Sequence, residues 1–285
     1  MVDHDALAPV DYLLVGHLTA DLTPDGRQLG GTASYGASTA HAFGLRVGVL
    51  TSARQNDPLL EELRQWAQVV VLPSEFTTTY ENIYAATGRT QYVHGVAAPI
   101  LPEDVPAEWR STPLVHIAPM ADEIHRQIVS CFPESALLVT LQGWLRRWEA
   151  DGRVRFKRWY DQDVLNAIDF IVFSEEDIAE AADMEAKIAE VARCLIVTRA
   201  DKGGTIYREG QAQSYGASSV EVAHPTGAGD IFATSFFICW HLLKHDIDRA
   251  VRAAAILAGH SVTRIGLQST PTPDEIRAVL NDGGI

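Results

Sequence analysis

The sequence predicts a three-layer α/β/α fold with a mostly parallel central sheet and a small β lid. Three observations lead there. Short apolar runs alternate with amphipathic segments along the chain, the pattern of a parallel sheet with crossover helices. The runs between residues 114 and 198 are short and apolar throughout, as suits strands buried on both faces. One stretch, residues 77–97, breaks the rhythm with two β-rich runs in succession.

The elements follow in order. Tyr12–Leu18 reads as the first strand, and Ala33–Phe43 as a helix rich in Ala and Ser with Gly44 as its C-cap. Arg46–Thr51 is a strand, Pro58–Trp66 a helix and Val69–Leu72 another strand. Thr77–Thr87 and Thr90–His94 flank a turn at Gly88-Arg89, and with Asp21–Gln28 they form a small projecting sheet. The lid strands thus fall within 19–29 and 77–97. Leu114–Ile117, Leu137–Thr140, Phe170–Phe173 and Leu195–Thr198 continue the parallel sheet. Gly204–Arg208 and Gln211–Tyr215 make a hairpin around Glu209-Gly210. Helices over Ala228–Leu243 and Ile247–Thr263, and one after Pro273, complete the chain. There is no internal repeat and no low-complexity linker, so residues 1–285 are expected to form one main domain.

Composition narrows the function classes. The chain has 285 residues, 47% apolar and 21% charged, which is ordinary globular composition and enough length for a rigid core. A net charge of −14 excludes nucleic acid or an anionic membrane as the main partner, because both require basic surface. A nucleotide is not excluded, since it needs only local positive potential and backbone N–H groups. Cys131, Cys194 and Cys239 are odd in number and widely spaced, against a disulfide framework or zinc site. The acidic N-terminus lacks an apolar core segment and Ile231–Leu243 is too short to span a bilayer, so a cytoplasmic location is expected.

The most informative segment is His224-Pro-Thr-Gly-Ala-Gly-Asp230, between the hairpin and a long apolar helix. Its glycines permit a tight turn and leave successive N–H groups unshielded. At a helix N-terminus such groups attract an anion, and they suit the charge that spreads over a phosphoryl group in transit. Asp230 falls in the first helical turn. There it is expected to be ionised, either as acceptor of a proton from an attacking hydroxyl or as a simple N-terminal capping residue. Gln142 and Arg146 are candidate polar contacts at the C-terminal edge of the sheet, where open α/β folds bind ligands.

The segment resembles the C-terminal signature of the ribokinase-like (PfkB) carbohydrate kinases, approximately Asp-x-Thr-Gly-Ala-Gly-Asp. The resemblance extends to Val15–Asp21, to Gly30-Gly31 with the helix ending Phe43-Gly44, to Val197–Gly204 and to Ser261–Gly266. Within the family, Gly30–Ser34, Leu101–Pro106 and Leu141–Arg146 look most like the myo-inositol kinase branch. The resemblance implies ATP and Mg²⁺ as cofactors and a small sugar or polyol as substrate. It implies Asp230 as general base, with the Gly227, Ala228 and Gly229 backbone as anion hole. It places Thr198, Lys202, Gly203 and Thr226 on the nucleotide, and Asp21 and Gly31 on the acceptor. Lid strands in the family often pair across subunits, so a homodimer through the lid is compatible with it.

The chain departs from the family pattern in three places. His224 replaces an Asp that helps coordinate a monovalent cation, which implies weak or absent potassium activation. Ser174-Glu-Glu-Asp177 replaces the Asn-x-x-Glu motif that organises Mg²⁺ and phosphate, leaving Asp177 and Glu176 as metal candidates. Tyr35 stands where many relatives place a sugar-contacting Asn, and could stack on an acceptor ring as well as hydrogen-bond to it. Ala200 also replaces a glycine in the nucleotide-side turn. The rival readings are a nucleoside kinase on the same fold and a non-catalytic sugar or nucleotide sensor.

Overall fold

The structure, a computed structural model, describes residues 7–85, 88–217, 220 and 222–281. The strands begin with β1 (Tyr12–Val15), β2 (Thr19–Thr23), β3 (Gly26–Gly30), β4 (Val47–Arg54), β5 (Gln68–Ser74), β6 (Thr79–Ala85), β7 (Gly88–Gly95) and β8 (Leu114–Ile117). They continue with β9 (Ala136–Thr140), β10 (Arg146–Trp148), β11 (Val154–Phe156), β12 (Phe170–Ser174), β13 (Cys194–Thr198), β14 (Gly204–Arg208) and β15 (Gln211–Tyr215). The α-helices are α1 (Thr32–Ala42), α2 (Leu59–Leu63), α3 (Gln162–Asn166), α4 (Asp183–Ala189), α5 (Ala228–Leu242), α6 (Ile247–Ser261) and α7 (Pro273–Asn281).

Nine strands form the main sheet in the order β15-β14-β13-β12-β9-β8-β1-β4-β5. From β13 to β5 every pairing is parallel, and β14 and β15 extend one edge antiparallel. Successive residues of a strand point to opposite faces. Leu14, Val49, Leu138, Val172 and Ile196 therefore pack with α1, α5, α6 and α7 on one side. Leu13, Leu50, Val115, Val139, Ile171 and Val197 pack on the other. The expected three layers are present, but the second is thin. Short 3₁₀ turns carry Trp109, Ile128 and Trp144 into it, with only α3 and α4 as helices. On the first side, the helix expected over Pro58–Trp66 is reduced to α2, Leu59–Leu63.

A second sheet has the order β3-β2-β6-β7. Its outer pairs are antiparallel, while β2 and β6 run parallel. β2 leaves the C-terminal end of β1, and β6 leaves that of β5. The small sheet thus stands at the edge where the parallel strands end. A hairpin absent from the sequence expectation, β10–β11, is joined to it: the Val93 amide donates to the Gly152 carbonyl at 2.8 Å. Among the described residues, no helix is long and apolar enough to cross a membrane.

Close backbone contact sets the floor beneath the small sheet. The Gly143 amide donates to the Pro119 carbonyl at 2.9 Å, and a Cβ on Gly143 would overlap Pro119 and the Met120 nitrogen. Both obstacles are backbone, so neither can swing aside. Gly143→Ala is expected to cost roughly 1–3 kcal/mol, as overpacking does. Thermal or urea unfolding measures it; an unchanged midpoint would show that these two segments separate freely.

Candidate active site

The site is built on the N-terminus of α5. Gly227 caps the helix with φ 85°, a left-handed conformation that a side chain would strain. The Tyr35 ring lies where a Gly227 Cβ would project, so the turn is held from below by α1. The Ala228 amide donates to the Pro225 carbonyl at 3.3 Å and the Ile231 amide to Gly227 at 2.9 Å. Beside Gly229 lies open space, and among the described residues its amide has no backbone acceptor. A helix N-terminus with an uncommitted amide is a place that attracts an anion.

Asp230 projects from the first turn of α5. It keeps some accessible surface along the cleft, yet protein surrounds it closely enough that desolvation dominates its chemistry. Burial pushes its carboxyl up to about 6. The Thr32 hydroxyl, donating to Asp230 Oδ1 at 2.6 Å, and the charge of Arg146 pull it down, while Asp177 and Asp21 push it further up. Such a group is still mostly ionised at neutral pH, though much nearer its titration point than an ordinary carboxylate. The helix dipole favours the anion, but loss of water outweighs it.

Four predicted residues share this neighbourhood, since Arg146, Asp177 and Asp21 all act electrostatically on Asp230. Asp21 accepts from the Thr19 hydroxyl at 3.1 Å, and its carboxylate fills the space a Gly30 Cβ would occupy. Gly31, with φ 80°, caps α1. The two glycines thus have separate tasks, one seating Asp21 and one turning the chain to deliver Thr32. Gln142 Nε2 donates to Asp177 at 3.2 Å, and the other Asp177 oxygen accepts from the Ser174 amide at 2.9 Å.

Arg146 is only 8% exposed. It sits with its guanidinium 5.8 Å from the centre of the Tyr80 ring and Nη1 3.5 Å from the Met120 carbonyl. Among the described residues no carboxylate forms an ion pair with it. A buried cation without an anion is costly unless one arrives.

On the other side of the cleft Thr198 ends β13 and Gly203, φ 81°, turns the chain into β14. A Gly203 Cβ would overlap the Tyr215 carbonyl. Lys202 is exposed, with its amine 3.8 Å from Glu175. Arg199, which the sequence reading passed over, lies between Glu175 at 3.5 Å and Glu185. Thr226 is half-buried at the foot of the α5 turn. The half-buried His224 donates its amide to Val262 at 2.9 Å, and its buried Nδ1 has no hydrogen-bond partner among the described residues. Tyr35, expected at the acceptor, is a buried support for Gly227 at 3% exposure. Glu176 is exposed. Among the described residues no three His, Cys, Asp or Glu side chains gather as a metal cage. Of the two acidic candidates in that stretch, Asp177 is the one that acts electrostatically on Asp230.

Comparison with known proteins bears on the fold. Residues 160–275 match the pfkB family carbohydrate kinase profile. That segment is similar to the PfkB family, and the whole chain has a ribokinase-like fold. A pyrophosphate-dependent kinase of the ribokinase family, solved with a pyrophosphate analog and myo-inositol, superposes with TM-score 0.78 at 21% identity, over 94% of this chain and 99% of its own. Arabidopsis thaliana ribokinase with ribose and ATP gives 0.71 at 15%, over 96% and 99%. An uncharacterized sugar kinase from Pyrococcus horikoshii with ATP gives 0.73 at 17%, over 94% and 99%. No curated protein matches the sequence. These identities establish the ribokinase-like fold, including the first half of the chain that the PfkB profile does not reach.

Thr32, Tyr80 and Met120 are site components that the sequence reading did not single out. Thr32 had a signal, because it is the first residue of the helix that follows Gly30-Gly31. Tyr80 and Met120 had none.

The raised Asp230 carboxyl has two consequences. A step needing its carboxylate should switch on with pH around a midpoint near 6. Thr32→Val removes a bond to the charged form, so the acidic limb should move to higher pH; a downward or absent shift would contradict the assignment. The second consequence concerns stability. A folded-state value above the unfolded one favours the fold when protonated, and that contribution fades as pH rises from about 4 through about 6. Asp230→Asn should therefore stabilise the protein at pH 7–8 by about 1–3 kcal/mol, read from chemical unfolding.

Proposed function

We propose that the chain transfers the terminal phosphoryl group of ATP to a hydroxyl of a small sugar or polyol, with Asp230 as general base. The observation that carries this reading is the raised Asp230 carboxyl, bonded to Thr32 and set beside the open Gly229 end of α5. A group near 6 is charged at neutral pH yet basic enough to take a proton as it leaves.

In this mechanism the acceptor lies between Asp21 and Asp230. Asp21 accepts hydrogen bonds from hydroxyls that do not react, and Asp230 receives the proton of the one that does. The backbone of Gly227, Ala228 and Gly229 holds the transferring phosphoryl, and of these amides only that of Ala228 has a backbone acceptor among the described residues. Arg146 supplies the cation that the buried cleft otherwise lacks. Thr198, Lys202, Gly203 and Thr226 line the donor path, and Arg199 joins them. Mg²⁺ comes as part of the donor and offsets its charge, with Asp177 at hand and Glu176 outside. The small sheet acts as a lid that keeps water from competing with the acceptor.

Pyrophosphate is a second candidate donor, favoured by the fold match to pyrophosphate-dependent kinases at TM-score 0.78. One related myo-inositol-1 kinase became a myo-inositol-3 kinase through two substitutions, so in that protein few side chains choose the hydroxyl.

The decisive assay supplies Mg²⁺ with ATP or pyrophosphate and a panel of myo-inositol, ribose, hexoses and nucleosides. Donor cleavage should depend on a sugar or polyol. Asp230→Asn should lower it by about 10²–10⁴-fold while circular dichroism is unchanged. Undiminished turnover in the variant would refute the base, and tight binding without cleavage would favour a sensor.

A further inference from the structure

The cations of this acidic chain are unevenly placed. Six of its 23 Lys and Arg residues fall within residues 146–158, which hold only two carboxylates, while the net charge of the chain is −14. This stretch is the β10–β11 hairpin and its exit, and the register sorts its side chains by face. Arg146 stands opposite Phe156, Arg147 opposite Arg155 and Trp148 opposite Val154. Directly opposed residues share a face, and so do residues two apart on a strand. Val154 packs with Tyr80, Val93 and Met120, Phe156 packs on the core beneath, and Arg146 is buried, so theirs is the inner face. Arg147, Arg155 and Arg153 belong to the other.

That other face continues the outside of the lid. Arg153 forms a β-bridge with Tyr92 of β7, and Tyr92 stands opposite Glu81. Glu81 pairs with His94 at 2.8 Å, and Ile83, two residues further on, is exposed. The hairpin is held tightly there, since a Cβ on Gly152 would overlap the Val93 carbonyl. Arg147 thus points away from the cleft that its neighbour Arg146 faces.

The charges on this outer face do not balance. Arg147 and Arg155 are directly opposed, with Cβ atoms about 5 Å apart, an arrangement that is unfavourable for like charges. Glu149 relieves one of them, lying 3.1 Å from Arg155 Nε. The other nearby carboxylates are engaged: Asp122 with Lys157, Asp183 with Arg158, and Asp151 with the Arg153 amide at 2.9 Å. Among the described residues Arg147 and Arg153 form no ion pair. Three guanidiniums therefore share one carboxylate, with Arg147 exposed and the other two half-buried. A guanidinium is a planar fork of donors that matches two oxygens of a phosphate, and a dianion would cancel the charge left over.

We propose that Arg147, Arg153 and Arg155 form a second anion site, outside the cleft, that binds a phosphate group on the outer face of the β10–β11 hairpin. Free phosphate, pyrophosphate and a phosphate ester all offer that group, and the probes separate them. Wild-type protein, the Arg147→Gln/Arg155→Gln double variant, Glu149→Gln and the control Arg158→Gln would be titrated calorimetrically without Mg²⁺. The titrants are inorganic phosphate, pyrophosphate, ribose 5-phosphate and, as a monoanion without phosphate, gluconate. Wild type and the control should bind at least one phosphate compound at one more site than the double variant, in which that site weakens about 10–100-fold. Glu149→Gln, which frees Arg155, should tighten the same site about 2–5-fold. Hydrogen exchange should slow across residues 147–156 when that compound is added to wild type, and not in the double variant. An equal number of sites in wild type and the double variant overturns the proposal. So does exchange protection that spares the hairpin, an affinity unchanged or weakened in Glu149→Gln, or gluconate binding as tight as phosphate. The difference in site number stands whether or not the cleft binds phosphate as well, so failure of the kinase reading leaves this test intact.

Discussion

The site depends on a buried carboxylate outside the proposed chemistry. Glu123 is 4% exposed and accepts the amides of His17 at 3.2 Å, Met120 at 2.9–3.0 Å and Ala121 at 2.7 Å. His17 lies between β1 and the first lid strand, whereas Met120 and Ala121 follow β8. One side chain thus satisfies backbone donors from two segments that would otherwise be buried without partners. The His17 ring extends the link, meeting the Thr78 hydroxyl at 2.7 Å and the Ala98 carbonyl at 2.9 Å on either side of the β6–β7 pair. Both ends of that pair are therefore tied to the end of β1.

From this anchor the active-site geometry propagates through Met120. Its amide is held by Glu123, its carbonyl receives Tyr80 from the lid, and its sulfur lies 3.3 Å from the Thr32 hydroxyl oxygen, whose one proton goes to Asp230. Thr32 then fixes Asp230. Floor, lid and helix meet at one residue. The Gly143 contact behind Pro119 prevents this loop from retreating. Such an arrangement places Asp230 and the lid by shared partners, so neither can move far without the other.

Legibility in the sequence followed periodicity. Strands β8, β9, β12 and β13 were readable because burial on both sheet faces leaves continuous apolar runs, β14 and β15 because Glu209-Gly210 marks the turn between them, and α5 and α6 because they are long. The β10–β11 hairpin was not, because Arg146-Arg147-Trp148 and Val154-Arg155-Phe156 owe their pairing to docking on the lid and floor rather than to a local apolar pattern. The short 3₁₀ crossovers were hidden for a related reason. A helical turn of three residues has no repeat to detect. At the site, Asp230 and its glycines were legible because turn geometry demands those residue types. Tyr35 shows how ambiguous position alone is, since a phenol packed beneath Gly227 and one that faces an acceptor look identical in sequence. Glu123 gave no signal, since what defines it is three amides brought together only by the fold.

The charges in the cleft explain why the proposed base is tuned as it is. Asp21, Asp177 and Arg146 all act electrostatically on Asp230, and Arg146 is the cation among them. A phosphate donor would add negative charge, and like charges push a carboxylate toward protonation. Were burial and the other carboxylates unopposed, Asp230 would hold a proton before the acceptor arrived and could not accept another. Thr32 and Arg146 oppose them, leaving it charged at neutral pH but close to the balance point. In the proposed reaction the acceptor proton reaches Asp230 as the phosphoryl group approaches, which removes one negative charge as another enters. The cleft then needs only the α5 amides and one guanidinium to hold the remainder, and a strongly acidic protein can manage an anionic donor without a basic surface.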